Sequence, residues 1–323
     1  MNPADFWSPW EGQANSYRDV AKILDEIHAK WPNRLFAWRG TVNADWALDS
    51  SLYRRVLWGV GAANDAPTEE QLQAEEMKTL IEVHRWGLHH GRFGRLSVLH
   101  QLAMLQHYGA PTRLIDVTFN AFIGLWFAVE KKWQNGRPIH EDSDARLFAV
   151  DVTSRLINEK RTHRHWEDSL HVPWRIKNLA SKAAKKKAKE SFRDWRTNTY
   201  AWQPPRIESR IAAQNGGFLL GGVPFSGGQA NPIQWPRDTT AASGWWSINE
   251  VRRSTAVSLQ RHKLPGMQGT VQTNAAYSVR IAAEAKEEIR IRLEKLFGYT
   301  HATIYPDFPG FASFGTPTMK TGP

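Results

Sequence analysis

The chain has 323 residues, no cysteine, and a formal charge of +10 from 42 Lys plus Arg against 32 Asp plus Glu. The missing cysteines exclude disulfides, thiolate zinc sites and a cysteine nucleophile. No apolar run reaches the roughly 18 residues that would span a bilayer, so no membrane partner is expected. Met1 to Trp10 lacks a basic start followed by an apolar core, so no secretory signal is expected and the location is read as cytoplasmic. A positive field of this size favours anionic partners. The 16 Trp against 7 Tyr offer rings that can stack on bases, although most are expected in the core.

In chain order, residues 16–31 have Val20, Ile23, Leu24 and Ile27 at helical spacing before Pro32, which predicts an amphipathic helix. Leu35 to Arg39 reads as a buried strand ending at Gly40. Gly59, Gly61, Asn64 and Pro67 predict a loop over 53–67. Thr68 as N-cap starts a helix running to His90, and Ser97 to Tyr108 forms a second one, stopped by Gly109-Ala110-Pro111. Arg113 to Val117 reads as a short strand, and Phe119 to Trp133 as a buried apolar helix. Ala145 to Val152 is expected to be a strand. Residues 174–196 hold Lys182, Lys185, Lys186, Lys187, Lys189 and Arg193 among alanines, predicting an exposed basic helix inserted in the domain. Residues 221–247 read as a long surface loop. Ser278 to Ala282 reads as a strand and Glu284 to Phe297 as a helix. The tail from Pro306 is read as irregular.

Three polar segments carry chemistry. In Phe36-Ala37-Trp38-Arg39-Gly40-Thr41 an arginine ends a buried strand, and the glycine would let a ligand approach the backbone. The bland alternative is a buried arginine paired with an internal carboxylate. In Gln106-His107-Tyr108-Gly109-Ala110-Pro111-Thr112-Arg113-Leu114-Ile115-Asp116-Val117-Thr118, polar groups lie between two apolar helices, so they must be paired or functional. Arg113 and Asp116 could bridge each other, and His107 could be a satisfied core residue. In Arg206 to Phe218, Gln214 before Gly216-Gly217 suits a turn holding a ligand against a sheet. No metal site is expected: His89 and His90 are adjacent, and neighbours do not share a helix face with each other.

Together these segments resemble the FRG domain, named for Phe-Arg-Gly, which stands here as Trp38-Arg39-Gly40. The 106–118 segment carries the family's hallmark. The helix to Glu130, Arg210 to Phe218, and Ile304-Tyr305-Pro306-Asp307-Phe308-Pro309-Gly310 also fit, so the resemblance covers roughly 30–312. It divides the chain into an N-terminal helical segment at 1–32, the domain at 33–312 with its basic insertion at 174–196, and a flexible tail at 313–323. A looser similarity links the chain to arginine-type ADP-ribosyltransferases. It implies an α+β fold with a central mixed or antiparallel sheet and packed helices, and NAD as co-substrate. Arg39 and Gly40 would meet the NAD phosphates. His107, Tyr108, Thr112 and Thr118 would line the nicotinamide and ribose pocket, with Arg113 and Asp116 holding that strand beside the cofactor. Gln214 stands where that family has its catalytic Glu, and Glu208 is the nearest alternative acid. The resemblance thus implies a toxin or defence effector, of the toxin–antitoxin or phage-defence kind, that ADP-ribosylates nucleic acid, RNA rather than DNA. The lysine-rich helix would dock the phosphate backbone. The alternatives are a non-catalytic nucleotide- or nucleic-acid-binding module, and a protein-interaction module facing an acidic antitoxin or regulatory protein.

Overall fold

The computed structural model describes residues 2–61, 65–92, 94–134, 137–157, 166–175, 182–205, 209–227, 233–239, 243–264 and 275–315. Among them, eight strands form one mixed sheet: β1 (Gly12–Ala14), β2 (Phe36–Thr41), β3 (Ile115–Thr118), β4 (Ala145–Asp151), β5 (Thr199–Trp202), β6 (Gly216–Gly221), β7 (Gln260–Arg261) and β8 (Ala275–Ile281). Their order is β1-β8-β4-β2-β3-β6-β5, with β7 also beside β8. Only β1 and β7 run parallel to their neighbour β8; the other pairs are antiparallel. The longer helices are α1 (Tyr17–Lys30), α2 (Ser51–Val60), α3 (Glu69–Arg85), α4 (Val98–His107), α5 (Ala121–Val129), α6 (Lys182–Thr197) and α7 (Lys286–Phe297). The expected α+β class with a mixed central sheet is therefore observed.

Both sheet faces are covered. Val20 and Leu24 of α1, Leu125 and Trp126 of α5, and Ile289 and Leu293 of α7 pack with Trp38, Leu147 and Val279 on one face. Ala37, Phe148 and Val150 point the other way, toward Phe6, Trp7 and Trp235, as the two-residue period of a strand requires. All seven residues of β4 are buried, as in a strand covered on both sides. A third cluster joins α3, α4, β5 and β6 through Leu80, Leu99, Trp195, Trp202 and Phe218.

Several boundaries differ from the sequence reading. Residues 51–60 are helical, not loop. Ser50 caps them by accepting from the Tyr53 amide at 3.2 Å, and Leu52 and Tyr53 are buried; the breakers act only at the helix end. Helix α3 stops at Arg85, because Gly87 turns the chain at φ 71° and a short hairpin, His90–Gly91 with Gly94–Arg95, follows. Helix α5 stops at Val129, and Glu130 is already extended at ψ 145°. The N-terminal segment is more than helical: β1 joins the sheet, and Trp7 is fully buried. Within the expected surface loop, Gly221 to Pro224 and Trp235 are buried.

One break in the sheet positions the site. β2 and β4 pair at six positions, Phe36 with Asp151 through Thr41 with Arg146. β2 and β3 share a single register pair, Trp38 with Thr118. Beyond Trp38 the two strands part, and a cleft opens between them.

Candidate functional site

The cleft has a volume of about 320 Å³ and is lined by Arg39 and Gly40 from β2, Asp116 and Val117 from β3, and Gly216 to Phe218 from β6. His107 at the end of α4, Phe127 of α5, and Glu130, Lys132, Arg210, Gln214 and Tyr305 complete it. Segments more than a hundred residues apart in sequence thus share one opening.

Arg39 is the first side chain past the last β2–β3 register pair. Its Nη1 donates to the Asp116 carbonyl at 2.7 Å, across the gap. Its Nε is buried without a hydrogen-bond partner. Burial lowers the Arg39 pKa and the nearby Asp116 charge opposes this; a guanidinium still stays charged. The Asp116 carboxylate is used elsewhere, accepting from Gln106 Nε2 at 2.7 Å. Arg39 is therefore not neutralised by a hydrogen-bonded internal carboxylate, and part of its donor fork remains open to a ligand.

The two threonines named from sequence lie behind the wall of the cleft. Thr112 is 1% exposed; its hydroxyl bonds the Gln106 amide oxygen and accepts from the Leu114 amide. Thr112 thereby fixes the amide that holds Asp116. Thr118 is fully buried and donates to the Gln214 carbonyl at 2.7 Å, tying the β3 end to the turn before β6. That turn carries Asn215 at φ 43°. Gln214 Nε2 donates to the Ile304 carbonyl at 3.1 Å.

Three expectations require correction. Arg113 does not face the cleft. It is 3% exposed, with Nε 2.6 Å from Glu76 and Nη1 3.3 Å from Glu69, beside the stacked rings of Trp174 and Trp195. Burial opposes its charge, but Glu76 and Glu69 outweigh that and raise its pKa. It braces β3 against α3 and contacts no cofactor space. Tyr108 is 75% exposed and lies outside the cleft lining, because Gly109 turns the chain at φ 83°. Gly40 borders the cleft, but its missing Cβ is required by helix α5: a Cβ there would overlap the Gly124 carbonyl and the Ala128 amide.

The basic helix also differs from an exposed insertion. Its last turn is anchored, with Trp195 1% exposed, donating to Glu69 at 2.9 Å and stacked on Trp174 at 4.8 Å. Lys186 and Arg193 are exposed. The side chains of Lys182, Lys185, Lys187 and Lys189, the whole of Glu208, and residues 316–323 of the tail lie outside the described residues.

Glu130, Lys132, Arg210 and Tyr305 receive no role from the sequence pattern. The Glu130 carboxylate, 3% exposed, pairs with Lys132 Nζ and accepts from Tyr305 Oη at 2.9 Å. Burial raises its pKa above the ordinary carboxylate value, with Lys132 opposing. Burial and the adjacent Glu130 raise Tyr305 well above its usual range. Arg210 pairs with Asp307 at 2.6 Å and lies 5.0 Å over the Tyr305 ring. A signal existed for Glu130: a carboxylate directly after a fully apolar helix is either buried with a partner or at a site.

Among the described residues no group of three or more His, Asp or Glu side chains is placed to hold a metal ion, and no helix is long and apolar enough to cross a membrane. No curated protein and no solved structure matches the chain. The family model of the FRG domain matches residues 34–137, a span that takes in Arg39, His107, Asp116, Glu130 and Lys132 and stops before Arg210, Gln214 and Tyr305. Over that span, about a third of its length, the chain is similar to the FRG domain.

Proposed function

We propose that the cleft binds NAD and that the protein transfers ADP-ribose from it to nucleic acid, RNA in preference to DNA, as a toxin or defence effector. The observation that carries this reading is Arg39: a strand-fixed guanidinium at the split in the sheet, with a buried Nε lacking any partner. A pyrophosphate meets such a fork with parallel charge-assisted bonds. Further support comes from strand order, since the strands bearing Arg39, Thr118 and the residues after Gln214 are neighbours. In the transfer, the bond from ribose C1′ to the nicotinamide nitrogen breaks and its electron pair leaves with nicotinamide. The acceptor oxygen or nitrogen bonds C1′ and gives up its proton. Gln214 can hydrogen-bond a ribose hydroxyl but brings no charge. Glu130 supplies a carboxylate to the same cleft, able to stabilise positive charge developing on the ribose.

Labelled NAD incubated with the protein and total RNA, DNA and protein should label the RNA fraction. Saturating NAD should also stabilise the wild type, by about 2.7 kcal/mol at a hundred times the dissociation constant. Arg39→Ala should stay folded and lose that increment, and Arg39→Lys should lose most of it. No shift with NAD, together with no labelled fraction, overturns the reading.

The neutral Gln214, engaged with the Ile304 carbonyl, favours a second reading: a nucleotide-binding module without transfer. It gives a melting shift with NAD and no labelled acceptor.

A further inference from the structure

A second cavity, of about 680 Å³, lies between α3, α4 and the segment 170–175. Leu80, Val98 and Val172 form buried apolar walls, and Arg85, Arg95 and Arg175 stand at its edge with His84 and His171. Arg85 is engaged by Glu82 at 2.5 Å. No acidic residue is among the described residues that line the cavity, so nothing lining it neutralises Arg95 or Arg175. The His84 and His89 rings stack at 4.1 Å and 11°, and Trp86, 76% exposed, follows Arg85 on the chain.

An independent feature lies in the wall. Gln101 is 2% exposed and lines the cavity. Its Nε2 donates to the Leu96 carbonyl at 2.8 Å, which fixes the amide orientation. Its Oε1 is buried with no hydrogen-bond partner. A buried acceptor without a donor is destabilising, so the site suits a ligand that brings an N–H.

We infer that this cavity takes an unpaired base of a single-stranded nucleic acid. The base ring lies against the apolar walls, an N–H of the base donates to Gln101 Oε1, and Arg95 and Arg175 meet the flanking phosphates. Each component is required by the chemistry. Apolar walls with one polar acceptor fit a planar heterocycle, and unpaired cations at the edge fit a phosphodiester. A duplex would hide the base edge, and polyglutamate brings no planar heterocycle to the slot. The inference extends the nucleic-acid acceptor of the proposed transfer to a second point of contact. Its test runs without NAD, so failure of transfer and failure of the cavity are distinguishable.

The test is fluorescence anisotropy with a labelled single-stranded RNA, the same strand annealed to its complement, and an abasic strand of equal length. The wild type should bind the base-bearing single strand tightest. Arg95→Ala with Arg175→Ala, both on exposed side chains, should weaken single-strand and abasic binding alike. Gln101→Leu should weaken the base-bearing strand about threefold to tenfold, the equivalent of one hydrogen bond, and leave the abasic strand unchanged. Equal wild-type affinity for the base-bearing and abasic strands overturns the inference without any variant. So does an unchanged affinity in the double arginine variant, or competition by polyglutamate as strong as that by RNA.

Discussion

Arg113 Nε lies 2.6 Å from Glu76 Oε1, with both side chains about 1% exposed. Glu69, fully buried, closes the same cluster by accepting from Arg113, Trp195, Gln73 and the Val223 amide. The arginine therefore holds α3, β3 and the last turn of α6 together. Arg113→Ala leaves two buried carboxylates without their cation and should cost about 3–5 kcal/mol in denaturant melts. Replacing all three charges, with Glu69→Gln, Glu76→Gln and Arg113→Met, should recover much of the loss. An Arg113→Ala protein that melts like wild type would return this residue to the list of cleft candidates.

This cluster also marks what the sequence could and could not disclose. On α3 the buried stripe runs Glu69, Leu72, Glu76, Leu80, Val83. Its spacing is legible, and two carboxylates on an apolar stripe demand a buried cation. Which cation answers them is a tertiary fact, so Arg113 looked like a ligand-facing residue of a polar motif. The meeting of Arg39, Asp116 and Gln214 was readable because each is a polar residue within or just before an apolar strand. The roles of Glu130 and Tyr305 were not, because they depend on how the α5 end and the C-terminal turn flank the split. The helix over 51–60 was hidden by glycines that sit only at its end.

Gly40 tests local packing against ligand approach. Gly40→Ala should push α5 away from β2, since the overlapped atoms are backbone. Forcing volume into a packed interior costs about 1–3 kcal/mol, and the urea midpoint should fall in the absence of any nucleotide. A wild-type midpoint combined with lost NAD binding would instead assign the glycine to the ligand.

Helix α6 bears on the proposed nucleic-acid binding through salt dependence. With about five phosphate contacts, the slope of log K against log salt should be near minus 4 to 5 on a duplex and shallower on single strands. Lys185, Lys186, Lys187 and Lys189 changed together to Ala should flatten the slope while the Trp195 anchor keeps the fold. An unchanged slope would assign this helix to another partner, such as an acidic protein.

Glu130 gives the pH prediction. Burial raises its pKa above the ordinary value of 4.5, and the pairing with Lys132 and the Tyr305 hydrogen bond only partly offset this. The carboxylate can steady positive charge on the ribose only when ionised. Transfer activity should therefore fall as pH drops through a pKa above 4.5, which places an acid limb in the kcat/KM profile. Glu130→Gln should lower activity and flatten that limb. Stability supplies a readout that does not depend on turnover. A carboxyl with a raised folded pKa contributes stability that is fully present below its unfolded pKa and is lost as pH rises through the folded one. Relative to Glu130→Gln, the wild type should therefore lose stability as pH rises from 4.5 through the raised folded pKa, read as the difference in melting between the two proteins. An acid limb that survives in Glu130→Gln would remove this carboxylate from the chemistry. A melting difference independent of pH would show that the carboxyl titrates in the fold as it does in the unfolded chain.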